Sequence, residues 1–318
     1  MKNLLRACAV ACCFVAGGAQ AQGASIALEG APYVLEGTEV RTVRARELQR
    51  DYQIYVSLPA SYARSGRSYP VVFVTDAPYA FPLARAIASR VGRKGRTIDE
   101  FVLVGLAYAN GDSPEYSRRR DYTPGQPGEG EIKSDMPGRE PKFGEAADFA
   151  RFIANDVFPF VARHYRVDMH RKTYIGHAYG SLLGLEMLLG DRPMFENYVL
   201  GSPSLWFGRR MMFEREKAAA AVRKDIRANV LLAVGEFETI RPGPRYNRRE
   251  DLVRDVRAFK AALKSRNYPS LKVMADVIPE EDHFTVGPAV ITRGLRWALP
   301  GSEEPPGRAH PGAGGGSD

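Results

Sequence analysis

Short apolar runs rich in β-branched residues recur along this chain. Tyr69–Thr75, Glu100–Leu106 and Ala228–Val234 are nearly unbroken, which predicts strands buried on both faces. Glu39–Arg46 and Asp51–Leu58 instead alternate apolar and polar residues, which predicts a half-solvated antiparallel pair at a sheet edge. Asn197–Gly201 and Ser270–Ile278 read as further strands. Helical spacing fills the intervals: Pro82–Val91 opening on proline in its first turn, Glu145–Tyr165, Ser181–Leu189, Arg209–Asp225, Asp251–Lys264 and Gly287–Leu299. In the second of these, Pro159 predicts a kink. Alternating buried strands and helices predict an α/β architecture, a mostly parallel sheet with helices on both faces and a ligand site at the carboxyl ends of the strands. The polar stretch Asn110–Gly144 holds five prolines and no periodicity, which predicts a lid or binding loop.

Both ends of the 318 residues fall outside this pattern. Met1–Ala21 has Lys2 and Arg6, an apolar run and then Ala19-Gln20-Ala21, the signature of a secretory signal peptide cleaved after Ala21. A periplasmic or secreted location follows. All three cysteines (Cys8, Cys12, Cys13) lie in that segment, so the mature chain has none and must rely on its core rather than on disulfides. The segment 300–318 is rich in Gly and Pro and is expected to be disordered, leaving 22–299 as a single domain. The formal charge of +8 reads as a mildly basic envelope protein. Arg118–Arg120 is too short a run for a nucleic-acid footprint, and no further apolar run is long enough to span a bilayer.

The chemistry centres on Thr173–Gly180. A β-prone run ends at Gly176-His177-Ala178-Tyr179-Gly180, and the helix Ser181–Leu189 follows at once. Strand, sharp glycine-flanked turn and helix make a nucleophile elbow, which normally reads G-x-S-x-G. Here the tip is Ala178, a methyl group. In such hydrolases the acid and then the histidine follow the nucleophile in chain order. His283 follows the last strand, where the base belongs, whereas His310 lies in the tail. The acid should follow Ala228–Val234; Glu238 is favoured over Glu236 because some turn is needed to reach back, and Asp282 comes third. The oxyanion donors would be the N–H of Tyr179 and one from Asp76-Ala77-Pro78-Tyr79, either Ala77 or Tyr79, since Pro78 has none. His177 reads as a packed or hydrogen-bonded elbow residue, and Ser181 as turned away from the oxyanion donors. No metal, dinucleotide or P-loop motif is present, so no cofactor is expected.

These segments, with Arg120-Asp-Tyr-Thr-Pro124, Ala147–Ile153, Gly201-Ser-Pro-Ser-Leu-Trp206 and Glu281-Asp-His283, resemble the "putative esterase" family of α/β-hydrolases. The likeness is nearest to the ferric-siderophore esterases, the enterobactin and salmochelin trilactone hydrolases, and covers Val40–Leu299. It implies an α/β-hydrolase fold, a serine due at position 178, His283 as base and Trp206 in the substrate wall. Tyr79 and Arg120 are further substrate-contact candidates, and the run Arg118–Arg120 with the Asn110–Gly144 loop could meet an anionic, catecholate-like group or be a solvated surface. Three positions depart from the pattern: Ala178 for the serine, Ser181 for a glycine, and Ala77 for the glycine after the oxyanion-loop aspartate. The expectation is a Ser-His-acid ester hydrolase scaffold, inert as written, with a small-molecule ester or ferric siderophore as ligand and no nucleic acid. The alternative is a non-catalytic envelope binding or sensor protein. Ala178 fits either a single change in a working enzyme or a natural loss. Oligomeric state is left open.

Overall fold

The computed structural model describes residues 33–128 and 132–303. The signal-peptide reading and residues 304–318 lie outside them. The described strands form one eight-stranded sheet: β1 (Thr38–Ala45), β2 (Arg50–Ser57), β3 (Tyr69–Val74), β4 (Val102–Ala109), β5 (Val167–His177), β6 (Asn197–Gly201), β7 (Ala228–Gly235) and β8 (Leu271–Ile278), ordered β1-β2-β4-β3-β5-β6-β7-β8. The alternating segments become the antiparallel pair β1–β2, and β2 also runs antiparallel to β4. From β4 onward every neighbouring pair is parallel. Helices α1 (Ala77–Arg90), α2 (Pro114–Tyr122), α3 (Ala146–Phe152), α4 (Phe158–His164), α5 (Tyr179–Leu189), α6 (Phe207–Val222), α7 (Leu252–Ser265) and α8 (Val286–Ala298) complete it. This is the α/β-hydrolase fold that the sequence implies.

The sheet separates two apolar cores. Along β3, Val71 and Phe73 enter one of them, and Val72 and Val74 the other. All four are fully buried, as their unbroken apolar run requires. Helix α5 follows the elbow into the larger core and buries almost its whole length.

Four expectations change. Helix α1 begins at Ala77, so Pro82 lies inside it rather than in its first turn. Where a kink at Pro159 is expected, Ile153–Val157 forms a π-helical turn joining α3 to α4, and Pro159 falls in the first turn of α4. Residues 300–303 are not free, because Gly301, Ser302 and Glu303 donate their N–H groups to Thr97, Gly95 and Arg96. Finally, the long polar stretch contains α2. Ser113 caps it by accepting from Tyr116 N–H at 3.1 Å, and Pro114 is at its first position.

Helix α2 is held by buried ions rather than by an apolar stripe. Arg120, 2% exposed, meets Asp112 at 2.7 Å and both oxygens of Asp121 at 2.7 and 2.9 Å. Asp121 also accepts from Tyr52 OH and Ser117 Oγ, each at 3.0 Å. A buried charge stripped of its partners is costly, so Arg120→Ala should destabilise the fold by about 3–5 kcal/mol in urea unfolding. Gly176→Ala should cost at least about 1–3 kcal/mol, because its Cβ would lie 2.5 Å from the carbonyl oxygen of Gly180.

Candidate active site

Strand β5 delivers the chain to the tip and α5 carries it away, so residue 178 must reverse the backbone in one step. Ala178 does so at φ 54°, ψ −112°, a region costly to any residue with a Cβ. The reversal presses neighbouring backbones together. A Cβ on Gly180 would lie 2.5 Å from the side-chain oxygen Thr75 Oγ1, a second close approach, although the one at Gly176 is against backbone. The Ala178 methyl faces a cavity of ≈ 560 Å³ together with His177, His283, Asp76, Tyr79 and Arg118. Ser181 is fully buried, its hydroxyl 2.8 Å from the Gly201 carbonyl and 3.0 Å from that of Gly176, and it faces away from this cavity.

The Glu238 carboxylate, the favoured acid candidate, arrives from β7. Immediately after Gly235 the chain makes a single 3₁₀ turn, Glu236–Glu238, which folds the Glu238 carboxylate back over the strand end. One oxygen accepts Gly235 N–H at 2.8 Å and Ser202 Oγ–H at 2.6 Å; the other lies 2.7 Å from His283 Nδ1. Glu238 is fully buried and all its partners are donors, the arrangement an ionised carboxylate in the interior requires. The competing acids are used elsewhere. Glu236 accepts Glu280 N–H at 3.0 Å. Desolvation pushes the Asp282 carboxyl up, but the N–H groups of Phe284 and Thr285 that it accepts, together with the Thr285 hydroxyl, outweigh it and hold the carboxyl below the usual range.

With Nδ1 bound to the carboxylate, the opposite ring nitrogen of His283 is the one left for substrate chemistry. His177 touches the same residue by its backbone: its Nε2 is 2.9 Å from the His283 carbonyl oxygen, and the two rings are 4.7 Å apart.

Asp76 begins α1 in the left-handed region at φ 55°. It accepts Tyr108 OH and Arg118 Nε–H, both at 2.8 Å, on the same carboxylate oxygen. The N–H of Tyr79 is already donated to the Asp76 carbonyl at 2.9 Å. Ala77 and Tyr179 are each the first residue of a helix, where an N–H has no partner within the helix. Of the two oxyanion-loop candidates, Ala77 is therefore the one so placed.

Among the substrate-contact candidates, Tyr79 lines the cavity and is 54% exposed. The Trp206 ring lies 6.5 Å from that of Tyr179, and Trp206 is not in the cavity lining. Arg120 is a correction: it is buried in the α2 ion network, and Arg118, two residues earlier, takes the cavity wall. Helical phase explains the difference, since residues two apart face different ways. Reading α2 as a loop hid that phase, although Ser113-Pro114-Glu115 is a recognisable helix start. Asp76 is named by the sequence only as the start of the oxyanion loop, with no partners for its carboxylate, and Tyr108 has no sequence signal beyond its place at a strand end.

A family model described as "Putative esterase" matches residues 45–284. The chain is 29% identical over 272 residues to the ferri-bacillibactin esterase BesA of Bacillus subtilis, covering 84% of this chain and 91% of that protein. It is 28% identical over 263 residues to the siderophore enterobactin esterase of Emericella nidulans, covering 75% and 86%. Among solved structures, the BES protein from Bacillus cereus aligns with a TM-score of 0.69 at 25% identity, over 86% of this chain and 98% of that one. The siderophore hydrolase EstA from Aspergillus nidulans aligns at 0.65 and 23% identity over 85% and 98%, a likeness of fold alone. With the elbow, Glu238 and His283 all inside the matched span, the chain belongs to this esterase family.

Proposed function

We propose that the chain is a carboxylic-ester hydrolase scaffold of the siderophore-esterase kind, exported from the cytoplasm, in which Ala178 removes acyl-enzyme chemistry. The observation that carries this reading is the buried Glu238–His283 pair, 2.7 Å apart, beside a cavity whose strained elbow presents only a methyl. A serine there would attack the ester carbonyl and pass its proton to His283. Glu238 would stabilise the imidazolium, and the N–H groups of Ala77 and Tyr179 would receive the oxyanion. His283 would then protonate the departing alkoxide, and water would release the acyl group by the same route in reverse. Without the hydroxyl the first bond cannot form. Removal of one triad member leaves roughly 10³–10⁴-fold catalysis over water from binding and the oxyanion hole. The ligand supported by the relatives is a ferric siderophore or related ester; Arg118 and Tyr79 are its candidate contacts.

A second reading is a binding or sensor protein of the envelope that never turns over. It is favoured by the same cavity, roofed by Arg118, Asp76 and Tyr108 and intact without the nucleophile.

Ala178→Ser should raise hydrolysis of p-nitrophenyl esters or siderophore trilactones by several orders of magnitude, with an acyl-enzyme detectable by mass spectrometry. A folded serine variant that stays at background would end the hydrolase reading and leave the binding one. In the Ala178→Ser background, Glu238→Gln should lower kcat by roughly 10²–10⁴-fold. For the chain as it stands, calorimetry with ferric catecholate trilactones should give binding at micromolar Kd or tighter, and the ligand should be recovered uncleaved.

A further inference from the structure

His177 is a buried titratable group that the ester chemistry above does not use. It is the last residue of β5, directly before the elbow tip. Its Nε2 faces the carbonyl oxygen of His283 at 2.9 Å, and an oxygen of that kind can only accept, so Nε2 carries the proton. Its Nδ1 is enclosed without a hydrogen-bond partner. A Cβ on Gly201 would come within 3.1 Å of Nδ1, so β6 closes over that side. Burial, the nearby His283 and the Arg118 charge lower its pKa to about 4, against the opposing pull of Glu238. Burial keeps His177 neutral beside the His283 ring 4.7 Å away.

The segment carrying His283 has other ties, all to the loop after β7. Phe237 N–H donates to Glu281 O at 3.0 Å, and Arg245 donates to Glu280 O at 2.7 Å. Glu280 N–H is held by Glu236 at 3.0 Å. These ties, and the Glu238 contact, position His283 relative to β7. The elbow is on β5, with β6 between them. The described contact that reaches His283 directly from the elbow side is the one from His177.

We infer that His177 is a positioning residue, suspending the backbone of His283 from the elbow strand so that base and nucleophile position keep a fixed separation. The inference rests on the reading of His283 as the base, but the tether itself exists in the chain as it stands. The rigid link is short: residue 177 is covalently next to residue 178, so any shift of the elbow carries the base with it.

Nitrogen-15 NMR of the unaltered chain should show His177 as the Nε2–H tautomer and His283 with its Nδ1–H protected from solvent exchange. His177→Phe keeps bulk but removes the donor, and should speed exchange of the His283 Nδ1–H by at least tenfold. His177→Gln places an amide N–H near the lost Nε2 and should restore protection. In the Ala178→Ser background, Phe at 177 should lower kcat tenfold or more with KM changed less than twofold, and Gln should recover most of it. Unchanged exchange in folded His177→Phe, or equal kcat in the Phe and Gln variants, would overturn the proposal. An inactive Ala178→Ser protein would sink the hydrolase reading alone, since the exchange measurement still decides the tether. Stability gives an independent check. The native His177 stays neutral down to about pH 4, whereas an unfolded histidine takes up a proton below about 6.5. The folded state therefore loses stability as pH falls between those values, and His177→Gln should flatten that slope. A slope identical in both proteins would place the imidazole in water and contradict the enclosed geometry.

Discussion

The backbone reversal at residue 178 is the constraint from which the rest of the site follows. Strand β5 lies inside a parallel sheet, so the chain must leave it at the carboxyl end and return along α5. At the junction the two backbones are in contact, and the carbonyl of Gly180 lies where a side chain on Gly176 would be. The tight passage turns residue 178 toward the cavity, leaves the first N–H of α5 without a partner inside the helix and sets His177 against the loop that carries His283. Neighbouring strand ends then supply the remaining groups: β7 gives Glu238, the segment after β8 gives His283, and the turn after β3 gives Asp76 and Ala77.

Much of this was legible because the signals were strong and local. Short unbroken apolar runs rich in β-branched residues read as interior strands, and a glycine-flanked strand-to-helix turn has few other readings. The choice of Glu238 over Glu236 rested on reach alone, and the 3₁₀ turn after Gly235 supplies that reach. What escaped were features set by side-chain direction. Helix α2 has almost no apolar stripe, because ion pairs among Arg120, Asp121, Asp112 and Glu145 replace it, so periodicity gave no hint of it. Without the helix, Arg118 and Arg120 could not be assigned to different faces. The π-turn that absorbs Pro159 is similarly silent in sequence, since it depends on how α3 and α4 meet the core.

The site places its two histidines in different surroundings. His283 is partly open and paired to a carboxylate; His177 is enclosed and faces a carbonyl. The contrast comes from depth in the fold rather than from any special chemistry of either ring. Asp76 shows the same economy, since one carboxylate oxygen receives Tyr108 and Arg118 while its backbone sets the start of α1.

Strained backbone at a catalytic tip is usually read as serving the reaction. Here the torsion angles of Ala178 keep that strain, on the order of 1–3 kcal/mol, although the methyl has nothing to donate or attack with. The distortion is thus a property of the sheet-to-helix crossover and would persist whatever small side chain stood there. Architecture builds the pedestal first, and chemistry is a tenant of it: an oxygen arriving at that carbon would find its direction already set, with no rearrangement left to make.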